Sequence, residues 1–225
     1  MSAPAWSFSS AKTFETCPRK YEGERITKEV KFTDNEATIY GTAFHLAAEE
    51  FIRDDKEIPE RFSFAREALV KLKNLPGDKY CEIKFGIAKR EGRLVSCDFF
   101  DADVWYRGIA DLLIVNGSEA RIIDYKSSKS AKYADTRQLA LMAACVFLKF
   151  PEVKIVKAGL LFVVCNAFVK EDYTFDRRFD IFAKMDELLT RIDVAHKTGV
   201  FNPNPNGLCK KYCGVLSCVH NGQHS

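Results

Sequence analysis

The chain has 225 residues, 47% of them hydrophobic and 29% charged, which is ordinary for a globular protein. This length suits one sizeable domain, or one domain with a small appendage. The net charge of +3 excludes a strongly basic protein, so any surface that binds nucleic acid must be a local patch. No apolar run reaches the ~20 residues of a membrane helix, and the first residues do not resemble a signal peptide. We therefore expect a cytoplasmic protein without a membrane partner.

The eight cysteines form two groups, and without a secretion signal they do not indicate a disulfide framework. Four lie inside apolar strand or helix patterns and are expected to be buried free thiols. These are Cys81, Cys97, Cys145 and Cys165. The other four lie near the two ends, in polar sequence marked by Pro and Gly. They are Cys17, Cys209, Cys213 and Cys218.

The N-terminal segment 7–21 predicts a short helix. Ser9 or Ser10 can cap this helix. Arg19 and Lys20 follow it, where they either contact DNA phosphate or form a solvated basic turn.

Two more helices are predicted before the first strand. Residues 41–53 carry an apolar stripe at helical spacing, and His45 lies beside that stripe. A lone histidine in such a place is usually a core or boundary residue. A shorter helix is predicted around 64–72 and is ended by Pro76-Gly77.

A β region follows, with strands predicted at 80–88 and 94–100. The strongest local signal is the hairpin turn at Asn116-Gly117, between two runs rich in Val, Ile and Leu. It predicts one strand from about 104 to 115 and another from about 120 to 126.

Three charged side chains lie on this hairpin: Asp111, Asp124 and Lys126. If Val115 pairs with Ser118, Asp111 faces Ile122, whereas pairing of Val115 with Ala120 makes it face Asp124. Both registers place the three charges on one face, which a three-residue loop would not do.

The two carboxylates would repel each other on an apolar hairpin unless a cation lay between them. Oxygen ligands suit Mg²⁺ or Mn²⁺, and Lys126 could then position water or offset phosphate charge. The alternative is a solvated face with one salt bridge from Asp111 or Asp124 to Lys126.

The C-terminal half predicts three further elements. Residues 135–149 are apolar nearly all round and should form a helix buried against the sheet. Residues 155–166 read as a buried strand. A long helix is expected from about 176 to 197, ended by Gly199, and 202–207 (NPNPNG) forms a spacer.

The tail contains Cys209, Cys213 and Cys218, spaced by three and then four residues. Such clustering favours a metal or cluster site, which needs a fourth ligand. His220 would complete a local zinc knuckle. Cys17 would instead complete an all-thiolate site that joins both ends of the chain.

The sequence GIAD, ending at Asp111, and the sequence DYK, at 124–126, resemble the core of the PD-(D/E)XK nucleases, in particular their RecB-like exonuclease branch. The resemblance implies an α/β fold with a central mixed sheet flanked by helices, like that of restriction endonucleases. It implies a single nuclease domain over 1–225, with a core at about 41–200. The terminal segments at about 7–21 and 205–220 would be joined by a metal or iron–sulfur site.

The same resemblance implies the roles of the hairpin residues. Asp111, Asp124 and the backbone carbonyl of Tyr125 would bind the metal ion. Lys126 would assist the attacking water.

Three further positions match this branch. His45 would approach the metal, and Gln138, on the helix after the hairpin, would reach into the site. Glu82 would assist metal or water binding, or else face solvent. Met142 stands where the branch often has Tyr, which puts a tyrosine contact in doubt but not the metal centre.

Some RecB-like nucleases, of phage or CRISPR-adaptation type, carry a [4Fe–4S] cluster held by one cysteine before the core and three after it. The resemblance implies such a cluster here. Its ligands would be Cys17, Cys209, Cys213 and Cys218, although the spacing of the last three departs from the commonest form. A zinc ion bound by Cys209, Cys213, Cys218 and His220 is the alternative.

These features lead us to expect a metal-dependent DNA exonuclease acting on single strands or duplex ends in recombination, repair or replication. A structure-selective endonuclease with the same chemistry is one alternative. A DNA-binding module with an inactive nuclease core is another.

Overall fold

The chain divides into two compact units. The terminal unit combines residues 1–33 with 184–225, and the sheet unit comprises residues 34–183. The computed structural model describes residues 4–30, 35–132 and 134–223.

The sheet unit is built on six strands. They are β1 (Asp78–Arg90), β2 (Arg93–Cys97), β3 (Val104–Asn116), β4 (Glu119–Lys126), β5 (Ile155–Phe162) and β6 (Ala167–Thr174). The strand order is β2-β1-β3-β4-β5-β6, and β4 and β5 are parallel while the other neighbours are antiparallel. This mixed sheet confirms the predicted α/β class.

Helices accompany both units. In chain order they are α1 (Phe8–Thr16), α2 (Pro18–Arg25), α3 (Glu36–Asp54), α4 (Arg66–Lys73), α5 (Arg137–Lys149), α6 (Arg178–Ala183) and α7 (Asp186–Thr198). Short 3₁₀ helices cover Glu60–Ala65, Phe175–Arg177 and Gly207–Lys210. None of the helices in the described ranges is both long enough and apolar enough to cross a membrane.

The core of the sheet unit is layered as the apolar patterns predicted. Phe44 and Ala48 of α3 belong to one buried cluster with Leu112 and Ile123 of the central hairpin. Because side chains alternate along strands, neighbouring strand residues point to the opposite face, where α5 packs against the sheet. The helix α5 is buried nearly all round, which explains its almost unbroken apolar sequence.

The hairpin of β3 and β4 turns at Gly117-Ser118, with Gly117 at a φ of 59°. Val115 pairs with Ala120, which confirms the second of the two predicted registers, although the pairing ends at Leu112 and Ile123, one residue before Asp111 and Asp124. The alternative register, with Val115 opposite Ser118, is wrong.

Some expectations need correction at the edges of elements. Residues 167–174, which follow the predicted strand 155–166, form β6, an edge strand in which three consecutive charged residues at 170–172 mask the strand pattern. The long helix predicted at 176–197 is two helices, α6 and α7, because the chain turns at Lys184-Met185. Gly199 does end α7, at a φ of 71°.

The thiol and cap predictions were also only partly right. Cys145 is fully buried, but Cys165 is exposed in the β5–β6 turn and the other two core candidates are half-buried. The N-cap of α1 is Ser7, which exchanges hydrogen bonds with Ser10 in a capping box.

Candidate metal centre

The site begins where β3 and β4 stop pairing. Their last backbone pair is Leu112 with Ile123. One residue further, Oδ2 of Asp111 accepts a hydrogen bond of 2.6 Å from the backbone N–H of Tyr125. The Asp111 carboxylate thus lies in the gap between the diverging strands, and its second oxygen, Oδ1, takes no part in this hydrogen bond.

That second oxygen faces His45 from α3. Nδ1 of His45 lies 3.4 Å from Oδ1 of Asp111. The neighbouring Phe44 is fully buried and meets the Tyr125 ring edge-on at 5.7 Å, which fixes this turn of α3. Burial lowers the pKa of His45, but the hydrogen bond and charge of Asp111 outweigh it, and the pKa is raised above its ordinary value.

A third candidate metal ligand, Glu82, comes from β1. Its neighbours Cys81 and Ile83 pair with Leu112 and Ala110, so Glu82 lies opposite Asp111. Its φ of 50° is left-handed, a conformation that costs a non-glycine residue about 1–2 kcal/mol and is often found at functional sites. Burial and the Asp111 carboxylate raise the pKa of Glu82.

One ligand atom from each of His45, Glu82 and Asp111 lies within 4.8 Å of the others. Two carboxylates and an imidazole at this spacing fit a divalent cation, which would relieve the repulsion between the acids. Carboxylate oxygens suit Mg²⁺ or Mn²⁺, and the imidazole shifts the preference towards Mn²⁺. The sequence had indicated Glu82 only as an assisting residue. The structure brings it into this group.

Asp124 lies beside the group in a second cluster with Lys126 and Gln138. Nζ of Lys126 is 2.5 Å from Oδ2 of Asp124, and Nε2 of Gln138 donates a 2.8 Å hydrogen bond to Oδ1. The Lys126 ammonium also donates to Oε1 of Gln138 at 3.1 Å. Burial and the nearby Asp111 raise the pKa of Asp124 to about 6, although the Lys126 charge opposes them.

Comparison with known proteins identifies the family. A model of the PD-(D/E)XK nuclease superfamily matches residues 5–218. The chain belongs to this superfamily. No curated protein matches the chain.

Two solved structures show the extent of the likeness. A protein from Eubacterium rectale that carries the provisional name of exonuclease is 14% identical, with a TM-score of 0.55, over 92% of this chain and 86% of its own. The protein SSO0001 is also 14% identical, with a TM-score of 0.48, over 98% of this chain and 89% of its own. At 14% identity, the comparison with the Eubacterium rectale protein shows a shared fold.

Arg19 and Lys20 of this nuclease, the predicted DNA contacts, lie in the terminal unit. Arg19 forms ion pairs with Glu29 at 2.6 Å and Glu22 at 3.1 Å, and Lys20 lies 3.7 Å from Glu24. Much of their charge is therefore balanced within the protein, and a DNA contact at either residue stays a prediction.

The terminal unit also holds the four terminal cysteines. The backbone N–H of Asn204 donates to Sγ of Cys17 at 3.3 Å, and that of Asn206 donates to Sγ of Cys209 at 3.4 Å. The Asn204 side chain donates to the carbonyl of Thr16 at 3.0 Å. The segment predicted as a spacer thus ties the Cys17 turn to the start of the cysteine tail.

Asn221 organises the rest of the tail. It is 6% exposed, and its Nδ2 donates to the carbonyls of Cys213 at 2.9 Å and Val215 at 3.0 Å. Its backbone N–H donates to the carbonyl of Cys218 at 2.9 Å. Within the described ranges, no cysteines join a group of three ligand atoms as compact as that of His45.

Proposed function

We propose that this PD-(D/E)XK nuclease is a metal-dependent deoxyribonuclease that removes nucleotides from DNA ends. The observation that carries the proposal is the pairing of two clusters, the one of His45, Glu82 and Asp111 and the one of Asp124 and Lys126. The first would hold a divalent cation, with Asp124 and the Tyr125 carbonyl completing its ligands. When bound, such a cation activates water and neutralises charge on the scissile phosphate.

In this proposal, side chains of the protein position the functional groups, orient the attacking water and offset charge on the phosphate. Gln138 holds the Lys126 ammonium by a hydrogen bond and Asp124 by another, so it fixes both functional groups at once. Lys126, one-third exposed, would orient the attacking water and offset charge on the phosphate. His45 would orient Asp111 and complete the ligand set.

The exonuclease assignment is supported by the provisional name of the Eubacterium rectale protein, whose fold this chain shares. A time course with Mn²⁺ on end-labelled linear DNA and on circular DNA of the same sequence tests it. We expect short products from the ends of linear DNA and intact circles. Cleavage of circles at the same rate would identify an endonuclease, and cleavage of neither would refute the nuclease proposal.

We further propose that Cys17, Cys209, Cys213 and Cys218 bind a [4Fe–4S] cluster. Backbone N–H groups already donate to two of these sulfurs, and hydrogen bonds of this kind stabilise cluster thiolates and tune their potential. The 204–206 segment lies between Cys17 and Cys209 and binds both. A local zinc ion that used His220 would leave Cys17 without a role.

A further inference from the structure

An exposed aromatic surface lies in the loop between β2 and β3, next to strands that carry two of the candidate metal ligands. We call it the Phe100 platform and define it as Lys84, Phe99, Phe100 and Arg107. The Phe100 side chain is 72% exposed, although burying a phenylalanine normally stabilises a protein. Nζ of Lys84 lies 5.5 Å from the centroid of the Phe100 ring and 5.8 Å from that of Phe99. The aromatic face is thus presented to solvent beside a cation.

The cations of the Phe100 platform are not neutralised. The Arg107 guanidinium lies 5.5 Å from the Phe99 ring, and its Nε donates to the Phe99 carbonyl at 2.8 Å. In the part of the chain that the structure describes, neither Lys84 nor Arg107 forms an ion pair. The nearby Asp98 accepts a 2.8 Å hydrogen bond from the backbone N–H of Phe100, which holds the loop in place.

Two residues of the platform, Lys84 and Arg107, lie on the same strands as Glu82 and Asp111. In β3, Arg107, Ile109 and Asp111 are spaced two residues apart and are more exposed than Tyr106 and Ala110, so strand alternation places them on one face. Lys84 pairs with Ile109, two residues from the Glu82 and Asp111 positions. Four residues of strand separate Arg107 from Asp111, a distance of about 13 Å.

We infer that the Phe100 platform binds an unpaired nucleotide of the DNA strand that is cut at the metal centre, an inference that rests on the proposed function. The Phe100 ring stacks on the base, and Lys84 and Arg107 contact the flanking phosphates. An unpaired base offers a free face to the ring, whereas a paired base inside a duplex is covered by its neighbours and only the terminal pair has an open face. The platform therefore selects single-stranded DNA near the scissile phosphate.

Fluorescence anisotropy in EDTA, where cleavage cannot occur, tests this with labelled oligo(dT) and with duplex DNA. Phe100→Ala should weaken oligo(dT) binding about 5- to 100-fold, and Phe100→Trp should preserve it. Lys84→Ala should reduce the slope of log affinity against log salt by about 1. Phe179→Ala is the control, since the Phe179 side chain is exposed as well, at 48%, and has the Arg178 guanidinium 4.3 Å from its ring.

The inference holds if Phe100→Ala weakens oligo(dT) binding while duplex binding and the Phe179→Ala variant stay unchanged. It is overturned if Phe100→Ala binds oligo(dT) like the wild type, or loses duplex binding equally. Tighter binding of oligo(U) than oligo(dT) would overturn the assignment to DNA. A protein that cuts no DNA but shows the Phe100 dependence would refute the nuclease proposal alone. One that cuts DNA without that dependence would refute the platform alone.

Discussion

Asp111 accepts the backbone N–H of Tyr125 at the point where two paired strands separate. One carboxylate therefore has two tasks. Its Oδ2 satisfies a main-chain donor that would otherwise be buried without a partner, and its Oδ1 faces His45 in the metal-binding group. Loss of metal binding and loss of stability can be separated at this residue.

We expect Asp111→Asn and Asp111→Ala to differ in stability but not in activity. Both should lower cleavage by more than about 100-fold, because even residues that only orient metal ligands are worth 10- to 100-fold. The Asn oxygen can still accept the Tyr125 N–H, whereas Ala leaves it unsatisfied at a cost of about 1–3 kcal/mol. Urea unfolding of the two variants provides the measurement, and equal stabilities would contradict the assigned role of Oδ2.

The hydrogen bonds among Asp124, Lys126 and Gln138 predict that mutations of Lys126 and Gln138 will have non-additive effects on the rate of cleavage. Lys126→Ala should slow cleavage about 100- to 1,000-fold, and Gln138→Ala about 10- to 100-fold. Because one of the two Gln138 bonds is made to Lys126, Gln138→Ala should slow cleavage less in the Lys126→Ala protein, where only the bond to Asp124 is left to lose, than in the wild type. Single-turnover cleavage rates of the wild type, the two single variants and the double variant make up a double-mutant cycle. Lys129→Ala, which alters an exposed lysine, is the control. Fully multiplicative losses would mean that Gln138 acts independently of Lys126.

The hairpin and the helix that carry most of this site could be predicted from the sequence, because strand periodicity and turn chemistry are local signals. Asn116-Gly117 identified the hairpin, and the observed pairing of Val115 with Ala120 is one of the two registers that this turn predicted. Gln138 lies on a helix whose apolar pattern was unambiguous. Each of these depends on a pattern within a few residues.

The contribution of Glu82 could not be predicted in the same way. Periodicity assumes regular strand geometry, while Glu82 adopts a left-handed φ in the middle of β1. The break between α6 and α7 was missed for a related reason, since neither Pro nor Gly marks the turn at Lys184-Met185. The contacts of Asn204 with Thr16 and Cys17 join segments more than 180 residues apart, beyond any local pattern.

The strained backbone at Glu82 can be tested with a matched pair of variants. Glu82→Ala and Glu82→Gly both remove the carboxylate, so both should lose cleavage to the same extent. Only Gly adopts a φ of 50° without strain, so Glu82→Gly should be the more stable by about 1 kcal/mol. Denaturant unfolding compares the two. A Glu82→Ala protein at least as stable as Glu82→Gly would show that the strand relaxes when the acid is removed.

Metal dependence gives a prediction with two readouts. Cleavage should stop in EDTA, return with Mg²⁺ or Mn²⁺, and be inhibited by Ca²⁺, whose looser geometry would misplace the water. Mn²⁺ at 100 times its Kd should also stabilise the wild type by about 2.7 kcal/mol but have little effect on Asp111→Asn. Thermal unfolding follows the second effect without DNA. Full activity in excess EDTA would exclude the proposed mechanism.

The last prediction concerns Cys17, which is only 8% exposed and is tied to the tail through Asn204. A cluster that joined it to the tail would close a loop of about 190 residues and strongly restrict the unfolded chain. Anaerobically purified protein should therefore be brown, with about four irons and four sulfides per chain. Cys17→Ala should lose the iron and unfold at a lower temperature, while Cys165→Ala, which alters an exposed thiol in the β5–β6 turn, should keep both properties. Colourless protein with one zinc ion, and with Cys17→Ala unchanged, would instead establish the local zinc site.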